Sequence, residues 1–292
     1  MTVTSVFSLD EIVAALPDVD VVSEVEAGFA AFSRGEVTVP PVGELLFPDV
    51  HGEMHIKYGA VRGDDVFVIK VATGFFGNPA LGLPPFGGCM LVLSQKTGMV
   101  EAVLLEEGEL TNHRTAAAGA VAAKHLAPKN VGCIGIIGSG VQARLQADYL
   151  RRVAPCRRLM IWGRRDASRS AAARDIAAMG YAVEEAGSPD DVARHCRLIV
   201  TTTPAETAAS AAMCRKAPRM LMSPLAPDTN SQAVMLFTRM PTPATTITVF
   251  PATGAGSPKR WMASHPMAPT ATRRNTALKS DARIDEPFIP YV

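Results

Sequence analysis

The chain is expected to be an α/β protein in which a parallel sheet wound with helices follows a mixed α+β segment, and three observations carry that expectation. An apolar, β-branched run from Val131 to Ile137 breaks into Gly138-Ser139-Gly140-Val141-Gln142-Ala143 and continues at helical spacing to Val153. The same strand-then-helix alternation recurs up to residue 206. Before residue 115 the pattern differs, with short strand-like runs separated by tight turns. The first kind of alternation builds parallel sheets, and the second reads as a mixed α+β domain.

Composition bounds the answer. At 292 residues, 48% of them hydrophobic and 20% charged, the chain can fill one large or two ordinary cores. A net charge of +1, from 29 basic and 28 acidic side chains, provides no field to gather nucleic acid or an anionic membrane surface. The N-terminus carries acidic residues early and does not read as a signal peptide, and no apolar run is long enough to span a bilayer, so a cytoplasmic protein is expected. The five cysteines, Cys89, Cys133, Cys156, Cys196 and Cys214, are scattered and form no CxxC pair. They read as reduced thiols rather than as metal ligands.

In the first segment, His55 to Val61 and Asp64 to Phe75 read as strands, with turns at Arg62-Gly63-Asp64 and Gly77-Asn78-Pro79. Lys70 stands inside Val66-Phe67-Val68-Ile69-Lys70-Val71. A buried ammonium there needs an anionic partner; on an edge strand it would snorkel outward instead. Residues 110–118, LTNHRTAAA, open a small-residue helix reaching His125, with Thr111 as its expected N-cap. Arg114 in its first turn opposes the usual dipole preference, which makes sense if it binds a carboxylate or a phosphate.

In the second segment, Gly138 permits the tight turn, Gly140 lets a pyrophosphate approach the backbone, and Ala143 allows close helix packing. The helix start offers its N–H groups to phosphate. This is the signature of a Rossmann-type dinucleotide fold, although an ordinary strand-to-helix turn has the same glycines. The next strand, Arg158 to Trp162, leads into Gly163-Arg164-Arg165-Asp166. Arginines at that position accommodate a 2′-phosphate, so NADP(H) is favoured over NAD(H); otherwise the pair solvates a loop and Asp166 caps the following helix. Helix Ala171 to Met179, strand Tyr181 to Glu184, helix Pro189 to His195 and strand Leu198 to Thr202 complete the alternation. The end of that last strand, Thr202, Thr203 and Pro204, is expected to line the cofactor crevice.

These residues resemble the ornithine cyclodeaminase/μ-crystallin family. The resemblance rests on residues 55–104, on ELTNHRTAAAGAVAAKHLA at 109–127, on VGCIGIIGSGVQARLQADYL at 131–150, and on RRLMIWGRRD and LIVTTTPA at 157–166 and 198–205. It covers roughly residues 20–206, and the style of residues 55–76 is closest to the branch associated with ectoine utilisation. It implies a substrate-binding and dimerisation domain over 1–118 and a Rossmann domain over 119–206, reaching about 250 if the remainder folds. It implies that Lys70 and Arg114 contact a substrate carboxylate, with Lys70 in the catalytic set. It also implies that Arg114 and Thr115 lie beside the cofactor phosphates, and that residues 138–143 form the phosphate turn. The activity implied is nicotinamide-dependent conversion of a small amino or imino acid by a homodimer, as a cyclodeaminase or as an imine reductase or amino-acid dehydrogenase. A non-catalytic NADP-binding protein and an inactive relic are the competing readings.

Two departures bear on this. Cyclodeaminases proper carry an arginine after the proline pair that here reads Pro40-Pro41-Val42-Gly43-Glu44, so ornithine itself is in doubt as substrate. Between Thr207 and Ser280 the only acidic residue is Asp228, among many prolines, threonines and arginines. Residues 207–292 therefore read as a poor continuation of the sheet, from a shifted frame, a truncated copy or real divergence. Asp228 is collinear with the family's catalytic aspartate but lacks its flanking glycines.

Overall fold

A computed structural model describes residues 4–203, 220–225 and 234–239. The chain forms two sheets. The first is built from β1 (Ser5–Phe7), β2 (Val37–Thr38), β3 (Gly43–Phe47), β4 (Gly52–Val61), β5 (Val66–Phe75), β6 (Phe86–Ser94) and β7 (Val100–Leu104). Its order is β1-β7-β6-β5-β4-β2, with β3 also on β4; β1 runs parallel to β7 and the other pairs are antiparallel. Helices α1 (Leu9–Ala15) and α2 (Val21–Ser33) precede most of it. Ser8 and Glu11 close α1 with a capping box, each side chain meeting the other's backbone N–H.

The second sheet follows α3 (Glu109–Leu126). It contains β8 (Ile134–Ile137), β9 (Arg158–Trp162), β10 (Ala182–Glu185) and β11 (Leu198–Thr201), linked by α4 (Val141–Val153), α5 (Asp166–Ala178) and α6 (Pro189–His195). These strands are parallel in the order β10-β9-β8-β11, which is the doubly wound arrangement expected of a dinucleotide fold. Every residue of β8 is buried. Ile134 and Ile136 face the core with α4 and α5, whereas Ile137 joins Val192, Cys196 and Ile199 on the α6 side. Helices on both faces explain why β8 is apolar without alternation.

Several expected bounds shift. α5 begins at Asp166 rather than Ala171, and its cap is Arg165 rather than Asp166. Lys70 is on an interior strand, between β4 and β6, so it cannot snorkel from an edge. Two further strands, β12 (Met220–Leu225) and β13 (Val234–Arg239), extend the second sheet antiparallel beyond β11. That segment thus contributes two strands to the sheet, with a direction that the βα alternation could not supply.

Helix α3 joins the two sheets. Its Ala116, Ala117, Ala120 and Val121 pack with Val21, Val22 and Val25 of α2 and Tyr149 of α4, while Ala123 belongs to the core of the second sheet. Small side chains allow this close approach on several sides. β8 is held equally tightly to α6: a Cβ added at Gly135 would stand 2.4 Å from Val192 Cγ1 and 3.0 Å from Cys196 Cβ. Gly135→Ala is therefore expected to lower stability by about 1–3 kcal/mol, because that clash outweighs the roughly 0.5–1 kcal/mol gained on replacing glycine in a strand. Urea denaturation checks this, and an unchanged or higher midpoint would refute the packing.

Candidate functional site

The site is assembled by strand register. Lys57 of β4 lies directly opposite Lys70 of β5, Lys70 opposite Met90 of β6, and Met90 opposite Leu104 of β7. Directly opposed residues of antiparallel strands share a face, so this row presents both lysines to one side. Val68, Met90 and Leu104 on that side pack with Ile12 of α1 and Leu110 of α3, which buries Lys70 to 2% exposure. Glu53 and His55, at alternate positions of β4 before Lys57, share the same face and are also buried. His55 Nε2 is 3.7 Å from Glu53 Oε1, too long for a hydrogen bond.

Just past β7 comes Glu106, fully buried. Its Oε2 accepts the Leu110 backbone N–H at 3.0 Å, so Glu106 satisfies an N–H of the first turn of α3. This displaces the expected cap: α3 starts at Glu109 with Gly108 at the N-cap, and Thr111 lies inside the helix. Among the described residues, Glu106 Oε1, Thr111 Oγ1 and Arg114 Nε are buried without a hydrogen-bond partner. Burial lowers the Arg114 pKa, with Glu106 opposing. Burial and then Arg114 push Lys70 well below the ordinary lysine range, again with Glu106 opposing. Burial and Arg114 hold Lys57 near about 8. Lys57, Lys70, Arg114 and Glu106 thus form one electrostatic cluster, and a guanidinium whose buried Nε has no hydrogen-bond partner is a ready receptor for an anion.

The phosphate turn lies close to this cluster through α3 and α4. Gln142 Nε2 donates to the Asn112 carbonyl at 3.0 Å, and Gln146 Nε2 donates to the Thr115 carbonyl at 3.2 Å. The Gln142 side chain is thus directed onto α3. Thr115 Oγ1 donates to the Thr111 carbonyl at 2.7 Å. Gly138 has φ 129°, and a Cβ there would stand 2.2 Å from Thr202 Oγ1, so the turn requires glycine. A Cβ added at Gly140 would meet nothing within 4 Å, leaving open space above the start of α4. Val141 is exposed in the first turn, and Ala143 is fully buried against the core. Gly138 N–H donates to the Trp162 carbonyl at 2.8 Å, and Thr202 N–H to the Ile137 carbonyl at 2.7 Å. The carboxyl ends of β8, β9 and β11 therefore converge.

At that edge Ser139 Oγ lies 3.0 Å from Ser168 Oγ, and Gly163 fits against Ser139. Arg164 and Arg165 are exposed where β9 ends. Asp166 pairs with Arg169 at 2.8 Å, and Arg169 also pairs with Glu185 at 2.8 Å. Thr202 is buried and Thr203 partly so. Pro204 and Asp228 lie outside the described residues.

Glu106, Lys57 and Arg169 were not singled out from sequence. Lys57 is placed by register, for which a single strand carries no signal, and Glu106 by the connection from β7 to α3. An acidic residue four before Leu110 was the available hint for Glu106. Among the described residues, no group of three or more His, Cys, Asp or Glu could hold a metal ion, and no helix is long and apolar enough to cross a membrane.

The lowered pKa of Lys57 has a stability consequence. Its folded value near about 8 lies below the ordinary 10.5. Between those values the unfolded chain binds the additional proton, so the folded state gains stability as pH rises from about 8 to 10.5. The stability difference, Lys57→Met minus wild type, is expected to be largest near neutral pH and to shrink toward pH of about 10, by on the order of 1 kcal/mol or more. Urea midpoints at the two pH values measure it; a difference that stayed constant would contradict burial of the ammonium.

With this geometry established, comparison with known proteins identifies the family. The model of the ornithine cyclodeaminase/mu-crystallin family matches residues 3–216. An uncharacterized cyclodeaminase of Sinorhizobium fredii is 41% identical over 191 residues, 65% of this chain and 58% of that protein. The structure of an archaeal alanine dehydrogenase dimer with bound NAD is similar at a TM-score of 0.64 and 27% identity, covering 70% of this chain and 62% of that one. The structure of a lysine cyclodeaminase that recognises L-lysine, L-ornithine and L-2,4-diaminobutyric acid is similar at a TM-score of 0.61 and 30% identity, covering 70% of this chain and 61% of that one. The chain thus spans about three fifths of the length of these relatives. It belongs to the ornithine cyclodeaminase/mu-crystallin family.

Proposed function

We propose that the chain binds a nicotinamide dinucleotide over residues 138–143 and the carboxylate of a small amino or imino acid at Lys70 and Arg114. The observation that carries this reading is the burial of Lys70 and of the Arg114 Nε beside the carboxylate of Glu106, next to the helix that abuts the phosphate turn. The residues fit a dinucleotide: Gly140 leaves open space over the N–H groups of α4, and Gly138 is tightly seated against Thr202. Gly163, Arg164, Arg165, Thr202, Thr203 and Pro204 would complete that edge, and Arg114 and Thr115 would flank the phosphates. A bound nicotinamide supplies a hydride acceptor or donor at its C4 position.

The chain's own residues do the rest. Lys70 and Arg114 orient the carboxylate by charge-assisted contacts, which fixes the α-carbon in position. Burial of Lys70 excludes water from that contact and strengthens it. Asp228 is assigned the proton transfer at the substrate nitrogen. The first reading is a cyclodeaminase, in line with the two cyclodeaminase relatives; the second is an imine reductase or amino-acid dehydrogenase, favoured by Val42-Gly43-Glu44 where cyclodeaminases carry arginine. The alanine dehydrogenase is a dimer, and the face of the first sheet opposite Lys70 carries the partly buried Ile56, Ile69, Val71, Leu91 and Leu93. Such an apolar face suits a second copy of the chain.

Arg164 and Arg165 support NADP(H), whereas the structural relative binds NAD. Titration of the purified chain with NADPH and NADH, followed by nicotinamide fluorescence, decides between them. NADPH is expected to bind tighter by about tenfold, with the preference lost in Arg164→Asp/Arg165→Ala. Binding of neither nucleotide would overturn the assignment.

A further inference from the structure

At the end of β8 remote from the phosphate turn, two cysteines meet. Cys133 immediately precedes β8, and Cys196 closes α6 two residues before β11. The strands are in register there, Ile134 opposite Leu198, and the Arg197 N–H donates to the Cys133 carbonyl at 3.3 Å. This places the sulfurs 3.5 Å apart, with the Cys196 thiol donating to Cys133. Cys133 is partly exposed and Cys196 is buried, and both are free thiols. Beneath them Gly135 carries no side chain; a Cβ there would already stand 3.2 Å from Cys196 Sγ.

We infer that Cys133 and Cys196 form a reversible oxidation site, at which a hydroperoxide converts the thiol pair into a disulfide joining the start of β8 to the end of α6. The Cys133 thiolate attacks one peroxide oxygen; the O–O bond breaks, and the leaving oxygen takes a proton to depart as water or an alcohol. Cys133 is then a sulfenic acid. The Cys196 sulfur attacks it, forming the S–S bond and breaking the S–O bond, and the expelled oxygen leaves as water with the Cys196 proton. The two sulfurs together lose two electrons, and the peroxide gains them. Closure requires the sulfurs to approach by about 1.5 Å, from 3.5 Å to ordinary disulfide length. Gly135, packed under Cys196, presents no side chain of its own to obstruct that approach.

The environment assigns the roles. The hydrogen bond from Cys196 brings the Cys133 thiol down to about 7, against burial and Glu184 and with help from Arg158. The same bond, with burial, pushes Cys196 upward. Near neutral pH the exposed partner is thus the nucleophile and the buried one the resolving thiol.

The test is peptide mapping of the full chain after treatment with hydrogen peroxide and alkylation under non-reducing conditions. The expected result is loss of two of the five thiols, a Cys133–Cys196 linked peptide, and full recovery with dithiothreitol. In Cys196→Ser, Cys133 is expected to stop at the sulfenic acid and to be trapped by dimedone. In Cys133→Ser, peroxide-driven loss of Cys196 alkylation is expected to slow by about tenfold or more. The inference is overturned if peroxide leaves both wild-type thiols alkylatable, or links either to Cys89, Cys156 or Cys214 instead. The wild-type map decides even if a serine variant fails to fold.

Discussion

Burial of Lys70 and of the Arg114 Nε beside the buried carboxylate of Glu106 is the constraint on which the candidate site depends. Removing cations from water is unfavourable by several kcal/mol each unless charge and hydrogen bonds replace the lost solvation. Glu106 offsets part of this and at the same time satisfies the Leu110 N–H at the start of α3. One carboxylate therefore fixes where α3 begins and which way its first turn faces. Arg114 and Thr115 follow from that position, and the remaining deficit at the cations is the basis for expecting an anionic ligand. Lys57, opposite Lys70, extends the same positive face.

From α3 the dependence passes to the second sheet. The small side chains of α3 let α2 and α4 approach closely, and two glutamines of α4 bond the α3 backbone at Asn112 and Thr115. The open turn at Gly140 is thereby held near the cation cluster through helix contacts. The two ends of β8 are chemically distinct: its carboxyl end opens into the glycine turn, while its amino end meets the thiol pair. Oxidation at one end can be studied apart from ligand binding at the other.

Much of the second sheet was legible because its signals are local. A buried parallel strand is uniformly apolar, a tight turn needs glycine, and helix spacing repeats within a few residues. The bounds of α4, β9 and α6 follow directly from such patterns. Less of the site was legible, because its geometry is set across strands. Nothing within β4 says that Lys57 will stand opposite Lys70, since register depends on the partner strand. Thr111 looked like a cap because its side chain suits that role; a more distant carboxylate, Glu106, fills it instead. Gln142 sits within the glycine motif, yet its side chain finds the Asn112 carbonyl on a neighbouring helix. β12 and β13 come from a segment rich in breakers, and their pairing arises from the free edge of β11 rather than from a local pattern.

The most direct measurement is calorimetric titration of the nicotinamide-saturated full chain with L-alanine and L-ornithine and, separately, with their carboxamides. If Lys70 and Arg114 form a carboxylate site, at least one acid binds and its amide binds more weakly by about tenfold or more, the order of one charge-assisted contact. Equal affinity of an acid and its amide would show that the buried cations do not hold the carboxylate, and would contradict the central claim.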